Sequence, residues 1–429
     1  MLKDHENAAA RWAVALGALL GLVSPGLSVG ADWHLNPRVV LSGSYDDNFR
    51  LDAIAADKIK VAGGTIVAGA QLVTDAPATH FEITPRVRST FYPGNSEEQG
   101  TDYFLDTKFT HSWEKARFSV TGDFWRQLVL KTFLPTTDVS GGLGKPTGNS
   151  DIGVLTQRNR QDFILLAPEG SYDLSPRMKL EIQSRFIDVK YAEQIAGQRQ
   201  DFKDFQGGLG LATALTPTST VIVRGVASQF KPDVGSKANT YGLQGEWTVR
   251  QTEVQQAYVR VGVDHTQFDQ PAGSFGPAPT PTPTTSTAPG SANSFSGGLG
   301  IDRKFRTSEL FADLLRSVAP NSGGGVVAQD ELRLRLEHQI GPRSAVFIGV
   351  RGIKESALGS NAAFTNDRYV TGSAGFEWRL TRQFSVTSQY IYTSRTTEGF
   401  IATAKSNAIA VSLVYDPHRL AEDAPLLGN

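Results

Sequence analysis

The segment WHLNPRVVLSGSYD, residues 33–46, decides the fold because its side chains alternate in character with a period of two. Trp33, Leu35, Leu41 and Tyr45 share one face, while the other face carries mainly polar groups. Side chains of a β-strand point alternately to opposite faces, so this pattern predicts a strand with one apolar side. A tilted strand that crosses a bilayer needs about nine to eleven residues, whereas an average soluble strand has about five or six. The length of the segment therefore favours a membrane strand.

The same alternation returns at residues 240–249, 256–264, 332–337 and 370–380. A membrane barrel can carry an ordinary composition, here 40% apolar, because its polar inner positions balance its apolar outer ones. We therefore predict an all-β fold: a single transmembrane up-and-down antiparallel β-barrel of about eighteen strands, with sixteen as the alternative. Both termini are expected in the periplasm. The expected location is the bacterial outer membrane, where lipid and lipopolysaccharide would surround the barrel.

Connections between the proposed strands alternate between short and long. The short ones are residues 75–78, 114–115, 174–177, 216–219, 250–253, 341–344 and 381–383, several with Pro or Gly turn chemistry. These are predicted periplasmic hairpins, and the longer links are predicted extracellular loops. The largest are residues 131–158 and 269–293. We expect the glycine-rich loop 131–158 to enter the lumen at least partly, and the Pro/Thr-rich stretch 276–290 to be a surface loop.

Aromatic residues fall near both ends of the predicted strands. Trp33, Trp113, Trp247 and Trp378 lie close to proposed periplasmic ends, and Tyr45, Phe91, Tyr103, Phe205 and Tyr241 lie near the opposite rim. Amphipathic rings prefer the level of the lipid headgroups, so two girdles are predicted. The exception is Trp125, which strand parity directs into the lumen.

The amino terminus has the three parts of an export signal. Lys3 and Arg11 supply positive charge, residues 12–23 form an apolar run, and residues 24–31 contain a breaker and small residues. The predicted organisation is a signal peptide at 1–31, the barrel at 32–415 and a periplasmic tail at 416–429.

Composition narrows the classes of function. The net charge of -1 argues against a nucleic-acid partner, and the absence of Cys excludes disulfides and thiolate metal sites. Parity sends His111, His265 and His338 outward, where no catalytic triad could form. We therefore expect no enzymatic activity, no cofactor and no metal site.

Parity also supplies the candidate lumen-lining residues. They are Arg86, Arg88, Lys108, Asp123, Trp125, Arg185, Glu246, Tyr258, Arg260, Arg333, Arg335, Glu337, Glu377 and Arg379. The charged members either form a selectivity surface or belong to the ion-paired, solvated face that any water-filled barrel needs. The aromatic side chains of Trp125, Tyr92, Tyr191 and Tyr258 could stack on a sugar or support extracellular loops.

Two short motifs carry a family resemblance. The strand exit YDDNFRL, residues 45–51, and the strand DFILLAPEGSY, residues 162–172, with the Leu-Ser-Pro-Arg turn that follows, resemble a broad family of proteobacterial outer-membrane β-barrel porins. The resemblance implies an association with exopolysaccharide export. The barrel would then be a conduit for a saccharide polymer, paired with a periplasmic polysaccharide-export protein. A general or small-solute diffusion porin is the alternative, and a plugged structural or adhesion barrel is the second alternative.

Overall fold

A computed structural model describes residues 32–129, 159–193, 199–233, 237–252, 254–269, 290–321, 323, 325–358, 367–397 and 403–417. These residues form one closed sheet of eighteen antiparallel strands. The predicted signal peptide, the predicted lumen loop 131–158 and most of the predicted tail lie outside the described residues.

The strands are β1 (Asp32–Asp46), β2 (Val61–Ala76), β3 (Thr79–Phe91), β4 (Gly100–Ser112), β5 (Ala116–Val129), β6 (Asn159–Ser175), β7 (Met178–Tyr191), β8 (Phe202–Thr216), β9 (Ser219–Pro232), β10 (Ala238–Thr252), β11 (Gln255–Phe268), β12 (Ser291–Lys304), β13 (Ser308–Asn321), β14 (Gly325–Gly341), β15 (Ser344–Ala357), β16 (Asp367–Arg379), β17 (Phe384–Thr397) and β18 (Ala404–Tyr415). Two short 3₁₀ turns, Ala55–Asp57 and Ser96–Glu98, complete the regular structure of the described residues. Neither is long and apolar enough to cross a membrane.

Each strand pairs with its neighbours in sequence, and β1 pairs with β18 to close the barrel. The closing ladder runs from Val39 opposite Tyr415 to Asp46 opposite Ala408. The sheet is therefore an up-and-down barrel, and the predicted count of eighteen strands is confirmed. The predicted short hairpins are confirmed as the tight connections at one rim, which identifies that rim as periplasmic.

The outer face of the barrel is apolar. The exposed fraction of the residue is 59% for Leu35, 62% for Val263 and 58% for Leu243, although all three belong to paired strands. An aqueous surface would not carry such a continuous band of large apolar side chains, but lipid tails would cover it. The exposed Trp33 and Trp247 flank the band at the periplasmic rim, as the girdle prediction requires. The protein is an integral outer-membrane β-barrel.

Two neighbouring residues of β2 provide a matched test of which face meets lipid. Ile66 points outward and is exposed, whereas Thr65 points into the lumen. We predict that Ile66→Arg destabilises the folded barrel in lipid by about 2–4 kcal/mol, because a charge near the bilayer midplane loses its hydration. Denaturant unfolding of the protein in liposomes measures the effect, with Thr65→Arg as the control. An equal loss for both variants would contradict the assignment of the two faces.

Candidate functional site in the barrel lumen

The lumen face is the face opposite the exposed apolar band. Alternation along the strands places every predicted lumen-lining residue on it, including Arg86, Asp123, Glu246 and Arg333, and the ladder registers keep the parity the same from strand to strand. Their placement therefore agrees with the sequence analysis, while their role in transport stays a prediction. What the sequence could not specify is which of these charges bind one another.

One group of charges forms a continuous network across β10 to β15. Arg260 donates to Glu246 at 2.6 and 2.8 Å, and its guanidinium lies 5.7 Å from the centre of the Tyr258 ring. The Tyr258 hydroxyl in turn donates to Asp313. Arg333 continues the network, since its guanidinium lies 2.9 Å from the same Asp313 carboxylate.

The network ends on a shared carboxylate. Glu331 lies 2.7 Å from Arg351 and 3.6 Å from Arg333, and it is almost completely buried. Three arginines thus alternate with three acids along this part of the wall. Such an arrangement satisfies each charge locally, so the formal charge of the network is balanced.

A second group lies on β3, β4 and β5. Arg86 binds Asp106 at 2.6 Å, and Arg88 binds Asp102 at 2.9 Å. The Phe104 ring lies under both guanidinium groups, whose central carbons are 5.3 and 5.1 Å from the ring centre. Cation–π contacts of this kind add to the ion pairs and fix the orientation of the arginines.

Asp123 is the least compensated acid of this second group. It lies directly opposite Asp106 in the ladder and is buried, and its Oδ2 has no hydrogen-bond partner among the described residues. The neighbouring Trp125 donates from Nε1 to Asp106 at 3.2 Å and stacks on Phe163 with the ring centres 4.6 Å apart. Two acids therefore face each other beside an aromatic pair.

Most of the remaining predicted charges also have ion-pair partners. The pairs are Arg185 with Asp204 at 3.5 Å, Arg335 with Glu337 at 2.8 Å, and Arg379 with Glu377 at 3.8 Å. Lys108 lies opposite Glu82 in the β3–β4 ladder. This pairing matches the solvated, ion-paired wall more closely than a stripe of free positive charge.

The first extracellular connection, loop L1 (residues 47–60), folds over the lumen. Asn48 is fully buried and anchors it: its side-chain amide donates to the carbonyls of Asp52 and Lys405, each at 2.8 Å, and its backbone N–H donates to Asp46. Ser406 also donates to that Asp46 carboxylate. The acidic strand exit is therefore a hydrogen-bonded turn that fastens L1 to β18.

Leu51 at the tip of L1 reaches inner-wall side chains of three other strands. It is 1% exposed and packs in one cluster with Ile353, Tyr369 and Ala404. Its backbone φ of 56° lies in the left-handed region, which a branched residue adopts only when its surroundings hold it there. The buried apolar contacts supply that constraint, so L1 covers the lumen beside β15, β16 and β18.

L1 also contacts loop L2 (residues 92–99), the connection between β3 and β4. Arg50 of L1 binds Glu98 and Glu97 at 2.5 and 3.5 Å, and Phe49 meets the Tyr92 ring edge-on. Burial raises the pKa of the Tyr92 hydroxyl and of the Asp52 carboxyl above their usual values. Because the Tyr92 ring contacts Phe49 of L1, Tyr92 supports the extracellular loops, the second of the two roles that the sequence left open.

A third inward element is the extracellular part of the β13–β14 hairpin, described at residues 317–321, 323 and 325–329 and called here the inturned hairpin. Val326 and Ala328 occupy the strand face that elsewhere meets lipid, yet they are only 4% and 5% exposed. They belong to a buried apolar cluster that also contains lumen-side aromatics of β5 to β11: Trp125, Phe163, Tyr191, Phe202, Phe230 and Phe268. The hairpin has therefore moved inside the wall.

Sequence reasoning missed this hairpin, although the alternation breaks beside it: parity puts the charged Arg316 and Asp330 at positions that elsewhere face lipid. A second signal was the run Asn-Ser-Gly-Gly-Gly at residues 321–325, which follows Pro320. Glycine-rich connections permit sharp changes of chain direction, but they do not say which way the chain turns.

No group of three or more His, Cys, Asp or Glu side chains within the described ranges is arranged to hold a metal ion. The lumen wall and the inward loops together define a transmembrane barrel with a polar, ion-paired interior and a narrowed extracellular mouth. This is the architecture of an outer-membrane channel.

No protein-family model matches the chain, and no curated protein matches it. Solved structures do, among them the outer membrane protein OpdK of Pseudomonas aeruginosa, with 8% identity and a TM-score of 0.44 over 89% of this chain and 99% of that one. OccAB3 of Acinetobacter baumannii has 10% identity and a TM-score of 0.43, over 89% of this chain and 99% of that one. A BenF-like porin of Pseudomonas fluorescens Pf-5 has 8% identity and a TM-score of 0.46, over 90% of this chain and 99% of that one. Similarity at this level does not transfer a substrate, so function has to follow from this chain's own residues.

The balanced network predicts a specific effect of removing one charge. Arg333→Gln leaves Asp313 and Glu331 without their shared cation, so the lumen becomes more negative. We predict that the ratio of cation to anion permeability rises about two- to fivefold. Two close unit charges interact in water by roughly 1 kcal/mol, which corresponds to a change of this size. Reversal potentials in a salt gradient measure it. The charge-neutral control Arg333→Gln with Glu331→Gln should return to the wild-type value, and an unchanged single variant would show that this network does not face the conducting path.

Proposed function

We propose that the protein is an outer-membrane diffusion channel for small polar solutes. The observation that carries this proposal is the combination of a charged, ion-paired lumen wall with an extracellular mouth narrowed by L1 and the inturned hairpin. A charged wall favours water and hydrated solutes over apolar filling. A narrowed mouth limits the size of what passes.

The narrowing separates this function from export of a polysaccharide. A secreted polymer has to thread the barrel from end to end, and the buried contacts of Leu51 and of Val326 lie across that path. The proposal requires that a passage wide enough for small solutes remains between these elements. The proposal therefore favours the small-solute porin over the exopolysaccharide conduit, and it requires neither a periplasmic export partner nor an enzymatic step.

Selectivity in this proposal comes mainly from size and only weakly from the sign of charge. The two charged groups of the wall contain arginines and acids in nearly equal number, with Asp123 as the least compensated member. Neutral and weakly charged solutes therefore meet no strong electrostatic barrier along the wall. Neutral monosaccharides are suitable test solutes.

The function is tested with the purified full-length barrel in planar bilayers and in liposomes. We expect discrete ion-conducting steps and swelling of liposomes in monosaccharides, with swelling that falls sharply for oligosaccharides because the mouth excludes them. A barrel without conductance would overturn the channel function and support a plugged structural role. Equal permeation of long oligosaccharides would overturn the size limit and favour the polymer conduit.

Loosening L1 should widen the channel. Asn48→Ala removes the side-chain hydrogen bonds that fasten L1 to β18, so we predict larger and noisier single-channel conductance than for the wild type. The control is Asn239→Ala in β10, outside L1, where the exposed side chain accepts one hydrogen bond of 3.1 Å from Gln229. Conductance that is equal in Asn48→Ala and the wild type would mean that L1 does not limit the conducting path.

A further inference from the structure

The ladder between β12 and β13 stops before its strands do. Pairing extends from Lys304 opposite Glu309 only as far as Gly297 opposite Arg316. Both strands continue beyond this point, β12 to Ser291 and β13 through the inturned hairpin. Among the described residues, positions 291–296 have no ladder partner in residues 317–321. We call this unpaired part of the wall the seam.

A comparison with the closing ladder shows that the seam is not an ordinary strand end. The β1–β18 ladder is equally short, but β18 above it is bonded to the exit of β1. Asn48 donates to the Lys405 carbonyl, and Asp47 accepts from the backbone and side chain of Asn407. Nothing comparable bridges the seam in the described part of the chain.

The inturned hairpin explains why the two strands separate. Its Val318 packs against the buried apolar cluster together with Ala292, which lies on the lumen side of β12. The outward-facing residues of the upper parts of β13 and β14 therefore pack against the lumen side of β12 instead of facing lipid. The upper part of β13 lies inside the barrel at this position, and the edge of β12 is left without a strand beside it.

The seam begins at the depth of the outer leaflet. The part of β12 that pairs with β13, residues 297–304, is shorter than the roughly nine to eleven residues that a membrane strand needs. Phe295, just above the last pair, points outward and remains 55% exposed, as expected of a lipid-facing ring. Unpaired backbone groups are costly in hydrocarbon unless water or a polar ligand satisfies them.

The two edges of the seam are chemically mixed. On the β13–β14 side, Arg316 and Asp330 form an ion pair at 3.0 Å on the outward face, where a barrel normally carries apolar residues. On the β12 side, the buried Ser294 hydroxyl has no hydrogen-bond partner among the described residues. Apolar side chains, Phe268 and Ala292 among them, lie immediately inside. Polar groups at the edges and apolar groups inside suit a molecule with a polar head and an apolar body.

We propose that the seam is a lateral route between the lumen and the outer leaflet for amphipathic small molecules. The polar head of such a molecule would bind the Arg316–Asp330 ion pair and the Ser294 hydroxyl. Its apolar body would contact the buried apolar cluster as the molecule passes. The inference rests on the proposed channel function, to which it adds a second class of solute and a second entrance.

The opening itself is tested without any transport assay. The chain has no Cys, so a single thiol-bound fluorophore can be placed at Ser294→Cys, with Ser228→Cys as the control. Both serines lie on the lumen face, but Ser228 sits between two continuous ladders. We expect brominated lipid to quench most of the fluorescence at residue 294 and little at residue 228. Equal quenching at the two positions would overturn the proposal.

Lateral passage is tested by closing the seam. If the ladder continued, Ser296 would lie opposite Ser317, so the pair Ser296→Cys and Ser317→Cys should join the edges when oxidised. We expect a pyrene-labelled fatty acid, added to the bilayer, to block the wild-type ionic current and to lose this block in the oxidised variant, with recovery on reduction. The control is Ser228→Cys with Thr240→Cys, which lie opposite each other in a continuous ladder. A block that persists after cross-linking would overturn the lateral route.

Such a block is readable only if the channel conducts. Absence of current in the wild type would therefore count against the proposed channel function, while the lipid-quenching comparison would still decide whether the seam is open.

Discussion

The structure depends on one constraint: inside a bilayer every backbone N–H and C=O has to be satisfied by the chain itself. A closed antiparallel sheet meets this requirement along most of the wall, and closure by β1 and β18 leaves no free edge at the barrel joint. The seam between β12 and β13 is the exception. Closure also gives every side chain one of two environments. Residues such as Leu243 face lipid, and their neighbours such as Gln244 face the lumen.

The lumen follows from the same constraint. A barrel of this width cannot be filled by its own wall side chains, so its inner face has to be compatible with water. Arg333 between Asp313 and Glu331 shows how the wall achieves this without a strong net field. Size selection then falls to the elements that fold inward, L1 through Leu51 and the inturned hairpin through Val326 and Ala328.

Much of the barrel could be predicted from sequence because alternation is a local property of each strand. The strand of residues 33–46 and the lumen position of Trp125 follow from parity, and the girdle position of Trp247 follows from parity together with its closeness to a strand end. The ion-pair partners, the contacts of Leu51 and the inturned hairpin could not be predicted. Each depends on residues far apart in the chain that register and bending bring together. The outward charges Arg316 and Asp330 mark an irregular part of β13 and β14, but they do not specify that the hairpin turns inward.

A cysteine scan along residues 257–264 of β11 in the membrane tests the two-faced barrel wall most directly. Because the native chain has no Cys, each engineered thiol reports its own position alone. A membrane strand of the barrel should give a period of two. Lipid-phase quenching is expected for fluorophores at Val259, Val261 and Val263, and reaction with water-soluble thiol reagents is expected at the positions between them. A period near 3.6, or equal aqueous reactivity at all positions, would contradict the barrel on which every functional conclusion depends.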